Sequence, residues 1–287
     1  MGTSSSSSGP KGNTSLLPSW ATGNGNSSDQ DQGQDSGTNK DSSKDDNSTN
    51  GSYQKNNENE LKQVYNLKSA KGALKRIVNK RRGANFKNAA KNYVRNTGGH
   101  KNATRASASG VITGAAYLNF FNGLAKDGLA QTLRNYDLSD CIGKSTDEVL
   151  AKISNKIAPI GSTNDEAIAR VAVMIAFDKL CENLIENGKD LNSLDHLDED
   201  TLKNITIEFI SAYIFKKWIY EAGLALERND LSESDAVELE NEMRVFISEE
   251  VRTSLRKIDI LSLDISKGEG RKVIENIFDL AYSTLEK

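Results

Sequence analysis

The sequence is poor in the residues that build disulfide scaffolds and metal sites, and it contains no long apolar run. Of its 287 residues, two are Cys, two are His and three are Pro. Cys141 and Cys181 share no paired spacing with each other or with a histidine, so we expect reduced thiols, no structural metal and no cofactor. No apolar run reaches the roughly 18 residues of a transmembrane helix, and the N-terminus lacks a secretory pattern. These absences predict a cytoplasmic protein without a membrane partner.

Motifs of common catalytic sites are also missing. The sequence contains no HExxH, no GxSxG and no dinucleotide-binding fingerprint. The stretch CIGKST ends like a phosphate-binding loop, but Leu138 stands where the first glycine belongs, and Ser145 or Thr146 suits the N-cap of a helix. His196 lies among acidic residues, yet a lone loop histidine seldom binds a metal. We therefore predict that the protein is not an enzyme.

The first 60 residues have the composition of a disordered tail. They include 14 Ser, 9 Asn, 8 Gly and 6 Asp and almost no large apolar side chains. Such a segment buries too little surface to offset the entropy of ordering its backbone. The remaining residues are numerous enough for a sizeable core.

The net charge of −3 conceals three regions of different charge. Residues 1–60 carry 4 basic and 8 acidic side chains, residues 61–110 carry 13 basic side chains and no acidic one, and residues 111–287 carry 20 and 32. We therefore divide the chain into a disordered tail (1–60), a basic segment of short helices (61–110) and an acidic all-α domain (111–287).

The pattern of apolar residues predicts an all-α fold. Helices are expected near residues 69–82 and 84–96, the second ended by Gly98 and Gly99. Further helices are expected after a capping box formed by Thr163 and Glu166, and near residues 199–228, 232–258 and 270–285. Small residues between positions 103 and 116 indicate close helix packing, and strand-like alternation is scarce.

The basic segment is a candidate binding surface with two main interpretations. Its positive field would attract phosphate backbones, or it could dock on an acidic partner or on the chain's own acidic part. The remaining alternative is that its charges are simply solvated. The candidate residues are Lys75, Arg76, Lys80, Arg81, Arg82, Lys87, Lys91 and Arg95.

The N-terminus carries a second candidate site. Removal of Met1 would expose Gly2 as a free amine, and an apolar cluster of Leu16, Leu17, Pro18 and Trp20 follows within an otherwise polar tail. Disordered spacers rarely hold such a cluster, so it suggests a docking element for a protein that acts on the chain end. The first residues also fit a loose myristoylation pattern, but the basic block that should accompany it lies some sixty residues away.

These motifs resemble the QatB family of the bacterial Qat anti-phage defence system. The resemblance lies in Met1, Gly2, Thr3 and Ser4, in Gly9 with Pro10, in the apolar cluster at 16–20, and in the double glycine of TGGHKNATRASAS. Ser19 stands where the family usually has a second proline.

The resemblance implies a non-enzymatic scaffold or adaptor that works beside an ATPase, a QueC-like enzyme and a TatD-like nuclease. It implies that Gly2 accepts a 7-deazaguanine-type modification from the QueC-like enzyme. Residues Thr3, Ser4, Leu16, Leu17, Pro18 and Trp20 would then contact that enzyme, and the helical domain would bind the ATPase. The alternative is a nucleic-acid-binding helical protein that acts through residues 61–110.

Overall fold

The protein is helical wherever its structure is described. The computed structural model describes residues 66–80, 82–195, 198–223, 232–256 and 270–287, and within these ranges all regular structure is helical. This confirms the predicted all-α fold. The predicted tail lies outside the described residues.

The described residues form ten α-helices and two short 3₁₀ helices. The α-helices are α1 (Lys68–Val78), α2 (Phe86–Asn96), α3 (His100–Arg105), α4 (Ala108–Asp127), α5 (Leu129–Asn135), α6 (Thr146–Ile157), α7 (Asn164–Glu186), α8 (Glu199–Ala222), α9 (Glu233–Leu255) and α10 (Gly270–Leu285). The 3₁₀ helices are Ser139–Cys141 and Leu191–Leu194.

Side-chain caps mark the starts of the long helices. The Thr163 side chain accepts from the Glu166 backbone N–H, and the Glu166 side chain accepts from the Thr163 backbone N–H, which confirms the predicted capping box of α7. Asp198 caps α8 and Ser232 caps α9 in the same way, each accepting from the backbone N–H three residues later. These local signals explain why the predicted starts of the helices agree with the structure.

Helix α8 is the most buried of the helices. It packs against α4, α7 and α9, and it buries side chains along its whole length, including Phe209, Tyr213 and Trp218. The broad apolar stripe of α7 by itself predicts a central helix. Instead its residues Val171 and Met174 are 39% and 48% exposed, since no described helix covers that side.

The small residues of α4 allow the predicted close packing. A Cβ atom on Gly110 would lie 2.5 Å from the Tyr213 ring, and one on Gly114 would lie 2.8 Å from the Phe209 ring. Both distances are shorter than a side chain tolerates. Glycine at these positions therefore lets α4 lie directly on α8.

Helices α1 and α2 form an antiparallel hairpin on the core. At one end of it, Ser69 Oγ donates to Asn96 Oδ1 at 2.5 Å. Gly98 and Gly99 end α2 with φ values of +90° and +87°, as predicted for this break. The Tyr93 ring of α2 stacks on the Trp218 ring of α8 at 5.5 Å. The hydrophobic core is therefore continuous across residue 110, where the charge of the chain changes sign.

Candidate interaction surfaces

The cations of the α1–α2 hairpin form the first candidate surface, which we call the basic face: Lys68, Lys71, Lys75, Lys87, Lys91 and Arg95. Lys71 and Lys91 are half-buried, and the other four are exposed. The inward sides of both helices are apolar, with Ala70, Leu74, Ala89 and Ala90 fully buried. The amphipathic pattern thus directs the cations outward.

The other predicted basic residues lie at the ends of this hairpin. Arg76 donates to the Gly72 backbone oxygen at 3.2 Å, and Lys80 lies 4.0 Å from Asp235 with 86% of its side chain exposed. Arg82 is exposed in the turn between the helices. Arg81 lies outside the described residues, as do Gly2, Thr3, Ser4, Leu16, Leu17, Pro18 and Trp20.

The basic helices attach to the body through apolar contacts rather than through ion pairs. Among the described lysines and arginines of the basic segment, Lys80 is the one that pairs with an aspartate or glutamate. His100 of the same segment places its Nδ1 atom 2.7 Å from Asp279 Oδ1. Lys91 Nζ donates to the Lys287 backbone oxygen at 2.9 Å. In the described structure, the contacts of the segment's basic side chains with the chain's own carboxylates are thus the weak Lys80–Asp235 pair and the His100–Asp279 contact.

A buried charged cluster joins four helices beneath the hairpin. Lys217 Nζ of α8 lies 2.9 Å from Asp165 Oδ1 and 3.2 Å from Glu221 Oε1, and 8% of the Lys217 side chain is exposed. The Tyr213 hydroxyl donates to Asp165 Oδ1 at 2.5 Å, and the Tyr93 hydroxyl donates to Glu221 Oε2 at 2.7 Å. The Ser109 backbone N–H donates to the other Asp165 oxygen at 3.0 Å. The cluster therefore connects α2, α4, α7 and α8.

The charges of this cluster favour one protonation state. Burial opposes ionisation of Asp165, but the Lys217 ammonium and three hydrogen bonds outweigh it and lower the pKa of the carboxyl. Burial likewise opposes the charge of Lys217, but Glu221 and Asp165 raise the pKa of the ammonium. Burial and the nearby carboxylates raise the pKa of Tyr93 and Tyr213 well above the usual tyrosine value. At neutral pH, Asp165 and Lys217 are therefore both charged, and the two tyrosines are neutral donors.

Little in the sequence indicates this cluster. Asp165 reads as an ordinary first-turn acid of α7, and Lys217 reads as one member of a pair of lysines in a long helix. The signal that could have identified Lys217 is its place on the apolar stripe, four residues after Tyr213 and next to Trp218. Burial of a cation at that position requires a partner.

The phosphate-loop-like stretch is a helix cap. Ser145 accepts from the Glu148 backbone N–H at the start of α6, and Lys144 Nζ pairs with Glu148 Oε1 at 2.5 Å. This confirms the predicted helix cap and shows that Ser145, rather than Thr146, is the N-cap. Cys141 is buried and Cys181 is half-buried, and both are free thiols, as expected.

Two further surfaces are open. The outer side of α9 exposes Val237 and Val245, which are 55% and 62% exposed, and Phe246 beside them stacks on Phe86 at 6.1 Å. A groove of about 520 Å³ lies between the end of α7, the start of α8 and α9, lined by Lys179, Asn183, Asn187, Glu208 and Arg252 among others.

No group of three or more His, Cys, Asp or Glu in the described residues could hold a metal ion. No helix among them has the length and apolarity to cross a membrane.

Comparison with known proteins connects this helical body to phage defence. The sequence model of a family described as Qat anti-phage system associated protein matches residues 98–285, about two thirds of the chain. The protein is thus a component of an anti-phage defence system, with an all-α body. The family is QatB, and the chain belongs to it. No curated protein and no solved structure matches the chain.

Proposed function

We propose that this protein is a non-catalytic scaffold of the Qat system whose N-terminal glycine is conjugated to a 7-deazaguanine base. Membership of the family makes it a defence component. The observation that carries the finer proposal is the tail, which combines a Met1-Gly2 start with an apolar cluster inside polar sequence. A tail that only solubilised the protein would not need Leu16, Leu17 or Trp20.

The conjugation needs a free amine and an activated acid. A QueC-like enzyme would couple the carboxylate of a 7-carboxy-7-deazaguanine to ATP, forming an acyl adenylate and releasing pyrophosphate. The deprotonated Gly2 amine would then attack the acyl carbon, forming an amide bond and displacing AMP, while the amine loses its second proton to a base. A glycine has no side chain to obstruct a narrow adenylate site.

The spacing of the tail fits such a reaction. Residues 3–15 separate the amine from the apolar cluster, and fully extended they span at most about 45 Å. Serine and glycine predominate early in this stretch, so it can thread as an extended strand. The cluster at 16–20 would bind outside the catalytic pocket and hold the amine within reach, as a tether raises the effective concentration of its end.

The helical body would carry the tail and bind the ATPase. Supporting this role, α9 exposes two valines about two turns apart on one side of the helix, with Phe246 beside them. Exposed apolar side chains that group on one helix face are typical of protein interfaces. The body thus offers a surface for a partner apart from the tail.

Intact-mass measurement tests the modification. The protein is co-expressed with its QueC-like partner, and we expect a mass increase that maps to the N-terminal peptide and disappears in Gly2→Glu. The matched control Gly9→Glu keeps Gly2 and should still be modified. An unmodified N-terminus, together with unchanged phage defence in Gly2→Glu, would rule the proposal out.

Co-purification tests whether the helical body binds the ATPase through the outer side of α9. The double variant Val237→Glu/Val245→Glu should lose the ATPase, whereas Ile185→Glu, at a 72% exposed position on α7, should retain it. If both variants retain the ATPase, the outer side of α9 is not its binding surface.

A further inference from the structure

We propose that the basic face binds the phosphate backbone of nucleic acids without reading sequence. This property is independent of the tail modification, because it uses a different part of the chain and needs no partner enzyme.

The first argument is the regular spacing of the cations. Lys87, Lys91 and Arg95 follow each other at intervals of four residues, which places them about 6 Å apart along one side of α2. Lys68, Lys71 and Lys75 form a second row on α1 at intervals of three and four. Each row is a line of cations along one helix, a spacing that suits contacts with successive phosphates of a nucleic-acid backbone.

The second argument is that no aspartate or glutamate neutralises these charges within the described structure, where Lys91 Nζ donates to the Lys287 oxygen. No ion pair there joins a carboxylate side chain to any of the six residues of the basic face. Cations of the same face repel each other, and that repulsion opposes folding. We therefore infer that these residues have a function that outweighs this cost. A polyanion would relieve the repulsion and release its own counterions on binding.

The third argument favours a nucleic acid over an acidic protein as the ligand of the basic face. Protein interfaces contain aromatic or aliphatic anchors in their buried centre. The described residues from 66 to 111 expose no large hydrophobic side chain, and the exposed ones begin at Ile112. Between the cations lie Asn88 and Asn92, which are exposed and half-buried. Amide and hydroxyl side chains are common phosphate contacts, so the face fits a sugar-phosphate backbone better than a protein surface.

The test uses the full chain, expressed alone and therefore with an unmodified tail. Binding to labelled duplex DNA, single-stranded DNA and duplex RNA is followed by fluorescence anisotropy over a series of salt concentrations. The basic-face variant is Lys87→Gln/Lys91→Gln/Arg95→Gln. The control is Lys126→Gln/Lys189→Gln/Arg271→Gln, which removes the same charge from exposed positions on other surfaces.

We expect the wild-type affinity to fall steeply with salt. Each phosphate contact contributes about −0.9 to the slope of log K against log salt for duplex DNA, so the basic-face variant should lose about 3 from the slope and the control about none. Binding of any of the three nucleic acids in this way supports the proposal, and the tightest one identifies the source of the phosphates. Circular dichroism should show that both variants remain folded.

Three results would overturn the proposal. The first is no wild-type binding at low salt. The second is an equal loss in the control variant, which would show that net charge alone matters. The third is polyglutamate binding as tightly as the nucleic acids, which would indicate an acidic protein partner instead. None of these results bears on modification of Gly2.

Discussion

Lys217 and the lysines of the basic face are the same residue type in opposite surroundings. Lys217 lies in the core between two carboxylates, while Lys87 lies on the surface with no carboxylate partner among the described residues. Burial decides what each positive charge can do. The buried charge holds helices together, and the exposed charges remain available to a ligand.

The difference also explains how an acid-free segment can fold onto an acidic body. Helix α2 is held by the stacking of Tyr93 on Trp218 and by the Tyr93 hydroxyl on Glu221. A tyrosine thus provides the polar contact to the body's carboxylate, and the cations of α2 are not required for it. The segment can therefore keep its positive charge on the surface.

The largest effect is expected from removing the buried charge. Lys217→Met keeps the length of the side chain but leaves Asp165 and Glu221 without their cation, so the free energy of unfolding should fall by about 3 to 5 kcal/mol. Urea unfolding at pH 7 measures this loss. The control is Lys216→Met, at the half-buried neighbouring position.

A second variant keeps this prediction testable if Lys217→Met does not fold. Adding Asp165→Asn and Glu221→Gln removes the unpaired charges and should recover part of the lost stability. If Lys217→Met and Lys216→Met unfold at the same urea concentration, the cluster does not stabilise the fold.

The next effect concerns Asp165 and depends on pH. Loss of its hydrogen-bonded charge in Asp165→Asn should cost about 1.5 to 3 kcal/mol at pH 7. Because the folded state lowers the pKa of this carboxyl, its stabilisation is present above the ordinary pKa of aspartate and is lost as the pH falls through the lowered value. The difference in the free energy of unfolding between wild type and Asp165→Asn should therefore become smaller in acid. Urea unfolding at several pH values measures this difference. The control Asp178→Asn, at an exposed site on the same helix, should be as stable as wild type. An Asp165→Asn difference that stays the same in acid would contradict the explanation that the charge of Asp165 stabilises the fold.

A third comparison adds one methyl group at a core position and one at a position in the hairpin, and compares the changes in stability. Gly110→Ala should destabilise the protein by about 1 to 3 kcal/mol, because its Cβ would clash with the Tyr213 ring. Gly72→Ala in α1 meets nothing within 4 Å and should stabilise the protein by up to about 1 kcal/mol. Thermal unfolding of the two variants measures both shifts, and shifts of the same sign would contradict this account of the packing.

The smallest effect is expected on the basic face. Lys87→Met removes an exposed charge without a carboxylate partner in the described structure, so the free energy of unfolding should change by no more than about 0.5 kcal/mol. A urea titration run beside that of Lys217→Met checks this value. A loss of several kcal/mol would show that Lys87 is structural and weaken the case for a binding role.

Much of the local structure could be predicted from the sequence. The capping box of α7, the glycine break after α2 and the bounds of the last helix all depend on residues within a few positions of each other. The exposed side of α7 could not be predicted in this way, because exposure of Val171 and Met174 depends on which helices pack beside them. The candidate tail site was identified from sequence alone and stays a prediction, whereas the Lys217 cluster was visible only in the structure.

The sequence by itself determined the helices, their caps, the separation of charge along the chain and the resemblance to QatB, since each of these depends on residues that are near in the chain. Only the tertiary structure decided which charges are buried and which are open. Lys217 meets Asp165 across 52 positions and Tyr93 reaches Glu221 across 128, and contacts over such distances leave no local pattern. The physical reason is that burial of a charge is a property of the packed helices, which bring its partners together from distant parts of the chain.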